Sequence, residues 1–176
     1  MTQTIKKLDS PQEFNNLSKI EALRKKLSMG REFHDSILVK NGFIYCSNGF
    51  YLVKVKAIAI EDGCYKIAKD KNKINLIPQD IRWPDVEQLD TCNKYGDPVV
   101  FSGSKEIQDI SKTYTRLIRA LPEEITLNFE MFEQIVKTKF FDYWQTCQDK
   151  DNNKPIKLVS NEEKPDMVAY IMPMMF

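Results

Sequence analysis

Few residues in this chain could do chemistry. His34 is the sole histidine and stands beside Asp35. A triad would need that imidazole next to a serine or cysteine nucleophile, and no spacing places one there. His34 therefore reads as a surface or capping residue. Cys46, Cys64, Cys92 and Cys147 are widely spaced and form no CxxC pair. They lack the clustered ligands of a zinc site and read as reduced cytoplasmic thiols. Phe101-Ser-Gly-Ser104 is too short to cradle phosphates, and no GxGxxG or P-loop occurs. Glu123-Glu124 and Glu162-Glu163 read as solvated loop charge. No catalytic residue, metal or cofactor is expected, although an enzyme with an unrecognised site stays open as an alternative.

The remaining chemistry is that of recognition. Lys105, Lys112, Arg116 and Arg119 fall on one face of a helix expected over about 104–121. Ile107, Ile110, Tyr114, Leu117, Ile118 and Leu121 form the opposite stripe, and Asp109 is the one acid among the cations. Four cations on one rail suit a phosphate backbone. An ordinary solvated helix face has the same composition. Lys19 and Lys26 repeat the pattern more weakly on an earlier helix. The second candidate is the run from Met167 to Phe176. Val168, Tyr170 and Ile171 suit a buried strand, and Pro173 should stop its pairing. Met172, Met174 and Met175 then make a soft surface suited to a bound peptide. A core strand with a hydrophobic tail is the plainer account of the same residues. Trp83 and Trp144 could stack on bases, but core or interface packing is the commoner use.

These residues need a scaffold. A helix is expected over about 11–28, with Ser10 as cap and Pro11 at its first position. Phe14, Leu17, Ile20, Leu23 and Leu27 form its buried stripe. Strands are expected at 36–40, 43–46 and 51–56, joined by the hairpin signals Asn41-Gly42 and Asn48-Gly49. A fourth strand is expected at 63–67. Residues 70–103, with Pro78, Pro84, Gly96 and Pro98, read as a partly irregular connection. Asn128 should cap a third helix, about 129–141, with Phe129, Phe132, Ile135, Val136 and Phe140 inward. Its polar side (Glu130, Gln134, Lys137) is not notably basic. Strands at 142–148, 155–159 and 167–171 complete a second meander. At 176 residues and net charge +1, the chain has no global field that predicts nucleic acid. The sequence begins without a signal peptide's apolar core and contains no run long enough for a membrane span.

Four stretches, in order, resemble the bacterial DNA polymerase sliding clamp, the beta subunit. Ala169-Tyr-Ile-Met-Pro-Met174 is similar to that family's closing strand and tail. Ile125-Thr-Leu-Asn-Phe-Glu-Met-Phe-Glu-Gln-Ile-Val136 resembles the strand and helix preceding it. Cys46-Ser-Asn-Gly-Phe-Tyr-Leu52 sits where clamps carry Thr-Asp-Gly-His-Arg-Leu, and Trp83-Pro-Asp85 resembles their Phe-Pro-Asp loop. The pieces cover less than half the chain. Phe50 and Tyr51 depart from the clamp's His and Arg, and the chain is far shorter than a three-domain clamp subunit.

The resemblance implies an α+β, DNA clamp-like fold. It would be a single domain over 1–176, with an antiparallel sheet, helices on one face and two helix–meander halves, about 10–68 and 104–176. It implies a non-enzymatic processivity factor of DNA replication or repair that binds duplex DNA without sequence preference. Lys19, Lys26, Lys105, Lys112, Arg116 and Arg119 would be its DNA-facing residues. Gly49, Phe50, Tyr51, Leu52, Met172, Pro173 and Met174 would form a pocket for short peptides of replication or repair proteins, with Leu52 and Met172 as an apolar floor. A cytoplasmic homo-oligomer, joined head to tail through edge strands and without membrane contact, completes the expectation. An adaptor that binds partner peptides without encircling DNA is the alternative within the same fold.

Overall fold

The computed structural model describes residues 2–30, 32–57, 59–86, 95–97, 99–100, 110–119, 121, 125–146, 155–160 and 166–175. The chain divides into two compact units, Met1–Val86 and Glu87–Phe176.

The first unit runs β1 (Gln3–Lys6), α1 (Pro11–Leu27), a 3-10 turn (Glu32–Asp35), β2 (Ile37–Lys40), β3 (Phe43–Ser47), β4 (Tyr51–Lys56), β5 (Gly63–Lys69) and β6 (Lys73–Pro78). Its strands lie in the order β1-β6-β5-β2-β3-β4, each pair antiparallel. Alternate residues of the central strands (Ile37, Val39, Ile44, Val53, Val55, Ile67, Ile74 and Leu76) are buried, as one face of a pleated sheet requires. The five expected apolar residues of α1 are buried too, and the helix packs on β1, β3 and β6. Ser10 holds the N-cap position, but its side chain makes no cap hydrogen bond. Only its carbonyl serves the helix, accepting from the Phe14 amide at 2.9 Å.

Asn41 and Gly42 both have positive φ, 53° and 75°. This is the backbone of a two-residue hairpin turn whose twist matches the strands. Asn48-Gly49 behaves differently, because Ser47 pairs with Leu52 and the turn is longer. Two strands of this unit lie where none was expected. β1 buries one apolar residue, Ile5, too few to show a period. β6 lies within the stretch read as an irregular connection. Its inward Ile74 and Leu76 alternate with Lys73, Asn75 and Ile77, and a tight turn joins it to β5, with the Asp70 amide donating to the Lys73 carbonyl at 2.9 Å.

The second unit runs β7 (Val99–Val100), α2 (Ile110–Arg119), β8 (Ile125–Thr126), α3 (Phe129–Lys137), β9 (Tyr143–Gln145), β10 (Ile156–Val159), β11 (Met167–Ile171) and β12 (Met174–Met175). β11, β10, β9 and β7 form antiparallel neighbours in that order, and β12 pairs with β8. Asn128 caps α3 as expected, its Oδ1 accepting from the Met131 amide at 2.9 Å. The helix stops at Lys137, short of Phe141. Thr138 turns back on the Ile135 carbonyl through its hydroxyl at 2.6 Å, and Lys139 takes a left-handed φ of 56°. Phe129 departs from its expected core place. Met131 is buried while Phe129 stays 38% exposed, with its ring edge-on to Tyr114 at 4.9 Å. Pro173 ends β11 as expected, yet pairing resumes one residue later, with Met174 opposite Thr126 and Met175 opposite Ile125. Among the described residues, no helix is long and apolar enough to cross a membrane.

Candidate nucleic-acid and partner surfaces

α2 owes its orientation to its apolar side. Ile110, Thr113 and Leu117 are buried. Tyr114 donates its hydroxyl to the Leu127 carbonyl at 2.6 Å and packs on Phe129 and Phe132 of α3. With that side fixed inward, Lys112, Arg116 and Arg119 face outward, and all three are exposed. At about 100° per residue they lie within about 60° of arc, and they span about 10 Å along the axis. The helix Ile-Ser-Lys-Thr-Tyr-Thr-Arg-Leu-Ile-Arg contains no acid. Arg116 and Arg119 also occupy its last turn, where cations complement the helix dipole. Lys105 and Ile107 lie outside the described residues. α3 offers no such face, because its Lys137 is paired with Glu133 at 2.9 Å.

On α1, Lys26 is exposed and Lys19 only half so. The stronger electrostatic feature of this helix escaped the sequence reading. Glu21 and Arg24 are buried and joined by two hydrogen bonds, 2.8 and 2.9 Å. Arg24 also reaches Asp35 at 2.9 Å and the His34 carbonyl at 3.3 Å. Burial alone would lower the Arg24 pKa, but the hydrogen bond and charge of Glu21, with Asp35, hold it above its usual value. His34 is buried, and its Nδ1 accepts from the Met29 amide at 3.2 Å just past the helix end. The histidine is thus a capping residue.

The turn between β3 and β4 is held from below. Asn48 donates to the Leu27 carbonyl at the end of α1 at 2.9 Å. Its Oδ1 accepts from the Phe50 and Tyr51 amides at 3.0 and 3.2 Å. Ser47 adds a bond to the Tyr51 carbonyl at 2.6 Å and takes the Gly49 amide at 3.1 Å. Gly49 sits at a φ of +89°, a conformation other residues adopt only with strain. The turn therefore presents Gly49 and Phe50, the latter 48% exposed, and withdraws Tyr51 and Leu52, which are 2% and 3% exposed. Leu52, expected as a pocket floor, is buried. Tyr51 shares a hydrogen bond with the Cys46 thiol at 3.3 Å. Burial pushes that thiol up to about 11 and raises the Tyr51 phenol as well. In the terminal segment Met172 and Pro173 are half-buried and Met174 is 38% exposed.

Cys46 and Cys64 are free thiols, and Cys92 and Cys147 lie outside the described residues. Among the described residues, no group of three or more His, Cys, Asp or Glu could hold a metal ion.

No family model matches the chain. No curated protein matches its sequence. Solved structures do match. The DNA polymerase III beta subunit of Thermotoga maritima is 10% identical with a TM-score of 0.57, over 100% of this chain and 66% of that one. The beta subunit of Borrelia burgdorferi, in complex with a natural product, is 12% identical with a TM-score of 0.61, over 100% and 64%. The Helicobacter pylori beta clamp bound to a DNA ligase peptide is 10% identical with a TM-score of 0.58, over 99% and 66%. The chain spans about two thirds of the length of these proteins. At such identities the likeness is one of fold, and the fold of this chain is that of the DNA polymerase sliding clamp.

Proposed function

We propose that this protein is a non-enzymatic, clamp-like component of DNA replication or repair. It binds duplex DNA without sequence preference through the outward cations of α2 and docks short peptides of client proteins. The observation that carries this reading is the acid-free face of Lys112, Arg116 and Arg119 on a chain with the clamp fold. Such a face serves phosphates and carries no base readout. The peptide-docking half extends to this chain what the Helicobacter pylori clamp does with a DNA ligase peptide. The exposed Phe50 of the first unit is its first candidate for contact here. Assembly into a head-to-tail homo-oligomer through edge strands belongs to the same proposal.

The test is duplex binding against salt concentration, followed by light scattering with and without DNA. Removing one cation that neutralises a phosphate should reduce the log–log slope by about 0.9. Lys112→Glu with Arg116→Glu should therefore flatten it by nearly two units. An unchanged slope makes the stripe a solvated face. Peptide binding by a protein that ignores duplex DNA replaces the clamp with an adaptor.

A further inference from the structure

The six strands of the first unit, β1 to β6, contain seven lysines (Lys6, Lys40, Lys54, Lys56, Lys66, Lys69 and Lys73) and no aspartate or glutamate. The register sorts them. Residues opposite one another across a ladder share a face, and successive residues alternate. Ile37, Val39, Ile44, Val53, Val55, Ile67, Ile74 and Leu76 take the face that α1 covers. Lys69 lies on that side, its ammonium 5.7 Å from the Phe14 ring of α1. The other six lysines share the opposite face. Lys40, Phe43 and Lys56 form one cross-strand row. Leu38, Tyr45 and Lys54 form the next. Lys66 stands opposite Ile77, and Lys6 opposite Lys73.

Two features of this face go beyond a solvated surface. First, like charges face each other directly at Lys6 and Lys73, an arrangement that destabilises an antiparallel pair. Asp9 approaches Lys6 at 3.8 Å, but both side chains are exposed, and a pair of that kind contributes little. Second, an aromatic ring stands among the cations. Phe43 is half-buried between Lys40 and Lys56, and the Lys54 ammonium sits 4.0 Å from its centroid.

We propose that this sheet face is a binding surface for single-stranded nucleic acid, separate from α2. Charge complementarity selects a polyanion. Neighbouring strands lie about 4.8 Å apart and same-face residues about 6.7 Å apart along a strand, so flexible lysines can meet successive phosphates. The cations are spread over five of the six strands of a twisted surface and not along one rail. A flexible strand can follow that surface, whereas a duplex is stiff over this length. Phe43 supplies the aromatic element on which a base can stack. An anionic membrane or an acidic protein would need an apolar anchor. Ile77, at 39% exposure, is the one large apolar side chain of this face that is exposed.

The test uses fluorescence anisotropy with a labelled oligothymidylate of about 30 nucleotides, longer than the sites of comparable single-strand binders. Lys56→Glu with Lys66→Glu should weaken binding about tenfold or more at low salt. It should flatten the log–log slope by about 1.4, at about 0.7 per phosphate. Lys56→Gln with Lys66→Gln, which removes charge without adding repulsion, should act in the same direction with an unchanged thermal midpoint. Arg116→Glu should leave oligothymidylate binding intact while weakening duplex binding, so this surface and the α2 reading fail separately. The proposal is overturned if the protein does not bind the oligonucleotide, or if the reversed pair binds it with wild-type affinity and slope. It is equally overturned if duplex competes as well as the single strand in the Arg116→Glu background, or if phosphatidylserine vesicles are bound and oligothymidylate is not.

Discussion

Helices α1 and α2 carry similar numbers of cations and use them in opposite ways. On α1, Arg24 is buried against Glu21 and reaches Asp35, and Lys25 adds an ion pair to Glu21 at 3.2 Å. Glu13, also buried, accepts the Ala59 amide at 2.8 Å. On α2, Lys112, Arg116 and Arg119 stand exposed on a helix without acids. The difference lies in what surrounds each helix. α1 is wrapped on a wide arc, so its charges must be neutralised within the fold. α2 rests on a narrow stripe and leaves its three cations exposed to solvent. Charge count along a helix therefore says little about binding until burial is known.

The sharpest way to break this contrast is to remove Arg24. Arg24→Met removes both Arg24 hydrogen bonds from buried Glu21 and leaves it the ion pair to the exposed Lys25, and we expect a loss of about 3–5 kcal/mol in urea unfolding. Arg24→Met combined with Glu21→Leu should recover much of that loss, since two apolar side chains need no partner. A single-variant loss below about 1 kcal/mol would place the α1 network in the same class as surface pairs.

A smaller effect follows from Cys46, which lies beneath the same helix. Its pKa is raised from 9.0 to about 11 by burial. A group held protonated by the fold contributes stability that is complete below its unfolded pKa and is lost as pH rises through the folded one. Stability should therefore fall between about pH 9 and pH 11, by a few kcal/mol at most, and the raised Tyr51 phenol acts in the same direction. Unfolding at pH 8 and pH 10.5 should show the loss, and Cys46→Ala should reduce it. An equal alkaline loss in Cys46→Ala would assign the effect elsewhere.

The smallest expected effect sharpens the other side of the comparison. Arg116→Ala or Arg119→Ala should change unfolding free energy by no more than about 0.5 kcal/mol, as for other exposed positions. A loss above about 1 kcal/mol in either variant would show that α2 uses these cations within the fold, contrary to an outward binding face.

Much of this arrangement was legible in the residues. The α1 stripe, the Asn41-Gly42 hairpin, the Asn128 cap and the outward set of Lys112, Arg116 and Arg119 each rest on residues a few positions apart. Helical period, turn conformation and capping are properties of such short stretches. Phe129 shows where that reasoning stops. Its spacing suits a core face, but at the first position of α3 its ring lies against Tyr114 at the margin, and Met131 takes the interior place.

Only the tertiary structure decided the rest. β1 exists because Gln3 meets Leu76, and β12 because Met174 meets Thr126. β1 has too few apolar residues to announce itself, and β12 follows Pro173, where pairing was expected to stop. Glu13, Glu21 and Arg24 look like solvent charges in the sequence and become buried because Ala59 and Asp35 approach from far along the chain. Six of the seven lysines in the first unit's strands gather on one face through pairings between strands as distant as β1 and β6. By itself the sequence determined local conformation and the likeness to a clamp. Which charges face solvent was settled by contacts between remote segments, because burial belongs to the assembled chain and not to any stretch of it.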